Sequence, residues 1–169
     1  MNSFVLAVPS RCIGCRACEI ACVDAHMSAD MGQAMEEGLP FSARISVVRE
    51  SGVTAPIQCR QCEDAPCAKA CPVDAISYNG ESVVIDAKRC FACKACLAAC
   101  PFGAMQVGVI NVEHEAPVAH KCDLCSGYRD APACVSVCPA GALNVFSTEK
   151  LQKLSAGKRR GNASLMVFQ

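Results

Sequence analysis

The chain has 169 residues, 52% of them hydrophobic, and carries 16 basic against 16 acidic side chains. That zero balance lacks the overall basic excess usual in a nucleic-acid binder, which leaves only local patches. With no tryptophan, 5% aromatic residues and 16 cysteines, the chain has little bulky apolar volume to bury. Something besides side-chain packing is expected to hold it together.

Phe4 to Val8 is predicted as a strand running into a first cysteine group, Cys12, Cys15, Cys18 and Cys22. The start has no basic residues and no long apolar run, so it does not read as a signal peptide. The longest mostly apolar stretch, Leu97 to Ile110, is interrupted by Pro101 and Gln106 and is too short to cross a bilayer. The expectation is a cytoplasmic protein without membrane insertion, in which thiols stay reduced and dense cysteines mean metal. After His26, Met27 to Leu39 reads as a loop with a helical turn, and Arg44 to Arg49 as a short strand.

Group two is Cys59, Cys62, Cys67 and Cys71, group three Cys90, Cys93, Cys96 and Cys100, and group four Cys122, Cys125, Cys134 and Cys138. These three groups begin 31 and 32 residues apart, a repeat, whereas groups one and two begin 47 apart, which marks an insertion. Between groups two and three, Ala75 to Tyr78 and Val83 to Ile85 flank Asn79-Gly80, a type I′ hairpin signal. Met105 to Ile110 reads as a strand after group three, and Ala142 to Phe146 as a strand after group four. From Ser147 the tail reads as a helix capped by Ser147 or Thr148 and ended by Gly157 or Gly161, before a last apolar run, Leu165, Met166, Val167 and Phe168.

The expected class is α+β, with two nested bacterial-ferredoxin-like units made of short antiparallel strand pairs and short helices. The outer unit spans 1–25 plus 111–146, the insertion 26–56, the inner unit 57–110 and the tail 147–169.

Groups one and three both read C-x2-C-x2-C-x3-C, the run used by bacterial two-cluster ferredoxins. Three thiolates must meet one cube from a tight loop, and small residues between them (Gly14 and Ala17, Ala92 and Ala95) let amide groups approach sulfur. In three groups the fourth cysteine precedes a proline, Pro72, Pro101 or Pro139, which turns the chain away and lets that thiolate reach a neighbouring cluster. Cys22 is followed by Val23 instead. Groups two and four widen the middle gap to four and eight residues, each with proline and aspartate, so surface loops are expected there.

Nested pairing gives the sets Cys12, Cys15, Cys18 with Cys138 (site one); Cys122, Cys125, Cys134 with Cys22 (site two); Cys59, Cys62, Cys67 with Cys100 (site three); and Cys90, Cys93, Cys96 with Cys71 (site four). Sequential pairing, group one with two and three with four, is the alternative; the strand echoes favour nesting. Paired C-x2-C motifs also build structural zinc sites, but zinc gives no reason for triple runs. Disulfides have no place without a secretory signal.

On RCIGCRACEIAC (Arg11 to Cys22), CRQCEDAPCAKACP (Cys59 to Pro72), CFACKACLAACPFGA (Cys90 to Ala104) and KCDLCSGYRDAPACVSVCP (Lys121 to Pro139), the chain resembles a known group. It is similar to the four-cluster ferredoxin-like subunits of formate hydrogenlyase, hydrogen-dependent carbon dioxide reductase and the dimethyl sulfoxide reductase superfamily. The tail KLSAGKRR (Lys153 to Arg160) resembles the formate-hydrogenlyase branch. The resemblance implies four [4Fe–4S] clusters, nested pairing, and electron transfer between a molybdenum or tungsten formate dehydrogenase subunit and a hydrogenase or other iron–sulfur partner. Membrane-bound relatives end in a transmembrane helix, so a chain ending at Gln169 without one is expected in a soluble complex.

A free polyferredoxin and an accessory protein for enzyme maturation are the competing readings. Independent catalysis is not expected: there is no P-loop, no G-x-G-x-x-G, and all sixteen cysteines are assigned. His26, His114 and His120 read as surface or loop residues, Lys150, Lys153, Lys158, Arg159 and Arg160 as a solvated basic face, and Leu165 to Phe168 as a partner-docking end.

Overall fold

The structure, a computed structural model, describes residues 2–27, 31–36, 38, 40–110 and 116–166. Its strands are β1 (Phe4–Ala7), β2 (Ile45–Glu50), β3 (Val53–Gln58), β4 (Ile76–Tyr78), β5 (Val83–Ile85), β6 (Gln106–Gly108), β7 (Val118–His120) and β8 (Leu143–Phe146). The helices are α1 (Ala17–His26), α2 (Met31–Glu36), α3 (Pro66–Lys69), α4 (Ala95–Ala99), α5 (Ala133–Ser136) and α6 (Thr148–Met166). The fold is α+β and ferredoxin-like, as the sequence predicts.

Every strand pairs antiparallel with one other: β1 with β8, β2 with β3, β4 with β5, and β6 with β7. The β1–β8 ladder joins the two ends of the cysteine-bearing chain around the remaining strands, with Phe4 opposite Phe146 and their rings stacked at 5.8 Å. The insertion is largely a second hairpin, β2–β3, of which the sequence reading had only the first strand. Pro56 sits opposite Val47 in that ladder. A strand bonded on one side only tolerates proline there.

Two details depart from the sequence reading. The β4–β5 turn is not a two-residue I′ turn: Tyr78 pairs with Val83, so four residues form the loop. Asn79 Oδ1 accepts the amides of Glu81 and Ser82 at 3.0 and 2.9 Å, and only Gly80 takes a positive φ, +100°. The side chain builds the turn that a left-handed pair would otherwise build.

The second departure is α6, which starts as expected: Ser147 Oγ accepts the Lys150 amide at 3.3 Å. It then runs through both Gly157 and Gly161 to Met166. Neither glycine adopts a positive φ, and the alanine, leucine, lysine and arginine around them carry the helix past. A Cβ at either glycine meets nothing within 4 Å. Gly157→Ala with Gly161→Ala is therefore expected to strengthen α6 by roughly 1 kcal/mol per site, read as slower amide exchange along the helix.

Cysteine is a main constituent of the core. One packed patch joins Val5, Ile45, Val47 and Leu143 to Cys18, Cys22 and Cys134. Another joins Ile76, Val83, Met105 and Ala119 to Cys67 and Cys96. Among the described residues, no helix is long and apolar enough to cross a membrane.

Candidate functional site

Four small clefts open among these elements, and each is lined by four cysteines. One holds Cys12, Cys15, Cys18 and Cys138. A second holds Cys22, Cys122, Cys125 and Cys134. The third is lined by Cys59, Cys62, Cys67 and Cys100, and the fourth by Cys71, Cys90, Cys93 and Cys96. The structure thus brings the predicted site residues together in four sets of four, numbered one to four here as above.

The backbone explains how. In every group the residue before the second cysteine is left-handed: Gly14, Gln61, Ala92 and Leu124, with φ of 71°, 50°, 57° and 64°. The loop curls there, so the feature the groups share is this φ rather than small side chains; Gln61 and Leu124 are not small. Gly14 has an added constraint, since a Cβ on it would stand 2.6 Å from Arg49 Nη2 and 3.0 Å from Thr54 Cγ2. Gly14→Ala is expected to cost about 1–2 kcal/mol, seen as a lower melting midpoint of the loaded protein.

The third and fourth cysteines of each group lie four residues apart, with a turn of helix between them. Such a pair shares a helix face about 6 Å apart along the axis. Each short helix therefore spans two cavities: α1 carries Cys18 into site one and Cys22 into site two. Cys22 needs no proline because α1 runs on to His26. Pro66 stands at the start of α3 and Pro132 caps α5, so the prolines of the wide gaps start the helices that deliver Cys67 and Cys134.

Backbone amides point at sulfur in each set. Arg44, Ala75, Ala119 and Ala142 donate to Cys22, Cys71, Cys90 and Cys138 Sγ at 3.3 Å, and Gln61 to Cys59 Sγ at 3.4 Å. Burial pushes the cysteine thiols up, Cys18 to about 11 and Cys122 to about 12, and it raises Cys134 as well. A buried thiol set like this favours its thiolates only when cations arrive to balance them. Among the described residues no three His, Cys, Asp or Glu side chains close in as they would on a single ion. Rings of four thiols around apolar cavities, with amides aimed at sulfur, fit polynuclear iron–sulfur clusters.

Adjacent cavities share packed side chains. Cys18 and Cys138 of site one meet Cys22 and Cys134 of site two. Cys122 of site two meets Cys59 and Cys100 of site three. Cys67 and Cys100 of site three meet Cys71, Cys90 and Cys96 of site four. Only Cys15 of site one and Cys93 of site four are exposed.

The two histidines that the structure describes are not surface residues. His26 lines site two with its side chain 7% exposed, and Nε2 lies 3.0 Å from Asp123 Oδ1. Burial disfavours a charged ring, but the contacts to Asp123 and Cys22 outweigh it and push His26 up to about 9. His120 is 5% exposed in β7, and burial holds it below the usual imidazole range. His114, Val167 and Phe168 lie outside the described residues, as does the side chain of Met166; Leu165 is 72% exposed.

Sequence reasoning missed the polar groups between the sites. Asp123 accepts from Arg44, and both line site two. Gln61, one of the largest fully buried side chains, joins site three to site two: its Nε2 donates to the Cys122 carbonyl at 2.7 Å and its Oε1 accepts the Val83 amide at 2.9 Å. Lys121 is 4% exposed and lines site three. For Gln61, Lys121 and Asp123 a position beside a cysteine is the one signal in sequence, and it does not report burial; Arg44 has no such signal.

Fold and sites define an iron–sulfur electron carrier. The chain belongs to the 4Fe-4S dicluster domain family, whose model matches residues 51–148, and a 4Fe-4S binding domain model matches residues 9–23. Together these stretches contain all sixteen cysteines. The chain is 44% identical over 174 residues to electron transport protein HydN of Escherichia coli, covering 96% of this chain and 98% of that one. It is 34% identical to hydrogenase-4 component A of the same organism, covering 97% and 92%. It is 40% identical to the putative oxidoreductase AegA, also of Escherichia coli, where 94% of this chain matches 24% of the longer one.

Proposed function

We propose that each cavity holds one [4Fe–4S] cluster, ligated by the four cysteines that line it. The four form a line in the order one, two, three, four. Through it the chain passes electrons between a molybdenum or tungsten formate dehydrogenase-type subunit and a hydrogenase or another redox partner. The observation that carries this reading is the four contiguous cavities, each lined by three cysteines of one group and one of its nested partner. The outer unit (1–25 with 111–146) would carry sites one and two and the inner unit (57–110) sites three and four. The insertion (26–56) donates to Cys22 through Arg44, and the tail (147–169) carries α6 (Thr148–Met166).

A bound [4Fe–4S] cluster takes up or gives up one electron with little change of geometry. The chain fixes the spacing: α1 and α5 tie site one to site two, and α3 and α4 tie site three to site four, by one helical turn. It tunes each site through the amides aimed at sulfur and the apolar walls that limit water. The exposure of Cys15 and Cys93 supports entry and exit at the two ends of the line. The names of HydN and hydrogenase-4 component A support a redox-enzyme partner. The match to part of AegA supports a module that works beside a larger oxidoreductase. The cytoplasm keeps this many thiols reduced, and we place the protein there.

The test is iron, acid-labile sulfide and zinc content of the anaerobically purified protein with its partners retained. About sixteen irons per chain and co-eluting large subunits are expected. Stoichiometric zinc with little iron would overturn the reading; full iron without partners would point to a free carrier. Deleting 164–169 is expected to weaken complex assembly, and unchanged assembly would discard the docking role of Leu165 to Phe168.

A further inference from the structure

The four cavities differ in the charges around them. Lys94 at site four is exposed. Arg16 at site one has its side chain 65% exposed and lies 3.8 Å from Glu19. At site two both Arg44 and the buried His26 pair with Asp123. Site three is lined by both Lys121 and Arg60. The Lys121 ammonium donates to the Val83 carbonyl and, at 3.1 Å, to the Cys122 carbonyl, and it pairs with no carboxylate among the described residues. Arg60 Nη1 is buried with no hydrogen-bond partner among the described residues, and the guanidinium carbon lies 5.9 Å from the centre of the Phe102 ring.

A buried cation without a carboxylate needs another counter-charge. A cluster with four thiolates is a net anion and becomes one charge more negative on reduction. Resting on the proposed cluster ligation, we infer that Lys121, with Arg60 beside it, sets the reduction potential of site three and makes its cluster the most readily reduced of the four. Site three is then where an electron rests on its way along the line. The step would be a one-electron transfer in which the neighbouring cluster loses the electron that the site-three cluster gains; no bond is made or broken and no proton moves.

The experiment is a reductive titration of the anaerobically purified full chain followed by electron paramagnetic resonance, on the native protein, Lys121→Met and Lys121→Arg. Loss of the charge is expected to disfavour the reduced form of one cluster at least tenfold, which is 59 mV or more to lower potential for a one-electron couple. The other three stay in place, and Lys121→Arg restores the native value. Four unchanged potentials, or four that move together, would overturn the inference, since a merely structural lysine lowers melting without singling out one cluster. If Lys121→Met fails to hold the cluster, ligand exchange on the native background decides. Cys62→Ser is expected to alter the signal that is reduced first, and an alteration by Cys93→Ser instead would overturn the inference. A native chain without iron sinks the cluster reading itself, an outcome distinct from intact clusters with unmoved potentials.

Discussion

A chain carrying Cys22→Ala and Cys134→Ala together is expected to lose one cluster, about four of about sixteen irons, and to keep the other three signals unaltered. Both thiols line the same cavity although they lie 112 positions apart in sequence. Cys22 rides α1 one turn beyond Cys18, and Cys134 rides α5, which packs against α1. Two remaining thiols do not hold a cube. Pairing groups one with two and three with four would instead spread the damage over two clusters. Two altered resonance signals in the reduced double variant would therefore discard the nested ligand sets. Since site two lies between sites one and three, its loss is also expected to stop electron passage from one end to the other while both ends stay reducible.

Gln61→Leu is expected to loosen the joint between the inner and outer units without removing a ligand. Gln61 is 2% exposed, and its main-chain carbonyl, which the substitution leaves in place, accepts from Asn2 Nδ2 at 2.9 Å. Leucine fills a similar volume, and Leu124 already occupies the matching left-handed position of group four, so the backbone tolerates the change. What is lost is polar: the Val83 amide is left buried and unpaired, and the Cys122 carbonyl keeps only Lys121. One orphaned buried amide costs about 1–3 kcal/mol. At about 2 kcal/mol the melting midpoint of the loaded protein falls by roughly 4–8 °C for a chain of this size, measured by calorimetry under anaerobic conditions. An unchanged midpoint would remove Gln61 from the joint.

The residues that read most directly from sequence are those whose role is set by spacing. Three cysteines at three-residue intervals announce a loop around one metal centre, and a fourth one turn later announces the bridge to the next, whatever surrounds them. Strands with period-two or β-branched signals (β1, β4, β5 and β8) also stand out. Strand β3 does not, because Pro56 reads as a break until its pairing on one edge is seen. Strand β7 is three residues long and sits directly before Lys121-Cys122, too short for any periodicity. Gln61, Lys121, His26 and Asp123 read as ordinary polar residues, because what makes them matter is burial against groups distant in the chain. Gly157 and Gly161 read as helix stops because glycine is the usual C-terminal residue, yet α6 continues through both.

The exposure of Cys15 and Cys93, against fourteen cysteines that are buried or half-buried, has a consequence for how the protein ages in air. Oxidants reach sulfur where solvent does. Corrosion should begin at the two terminal sites and work inward, bleaching the contacts with redox partners before the two interior sites. A partly oxidised sample would then keep much of its colour and its reducible interior while already silent towards any partner, so that visible absorption overstates how much of the protein can still conduct.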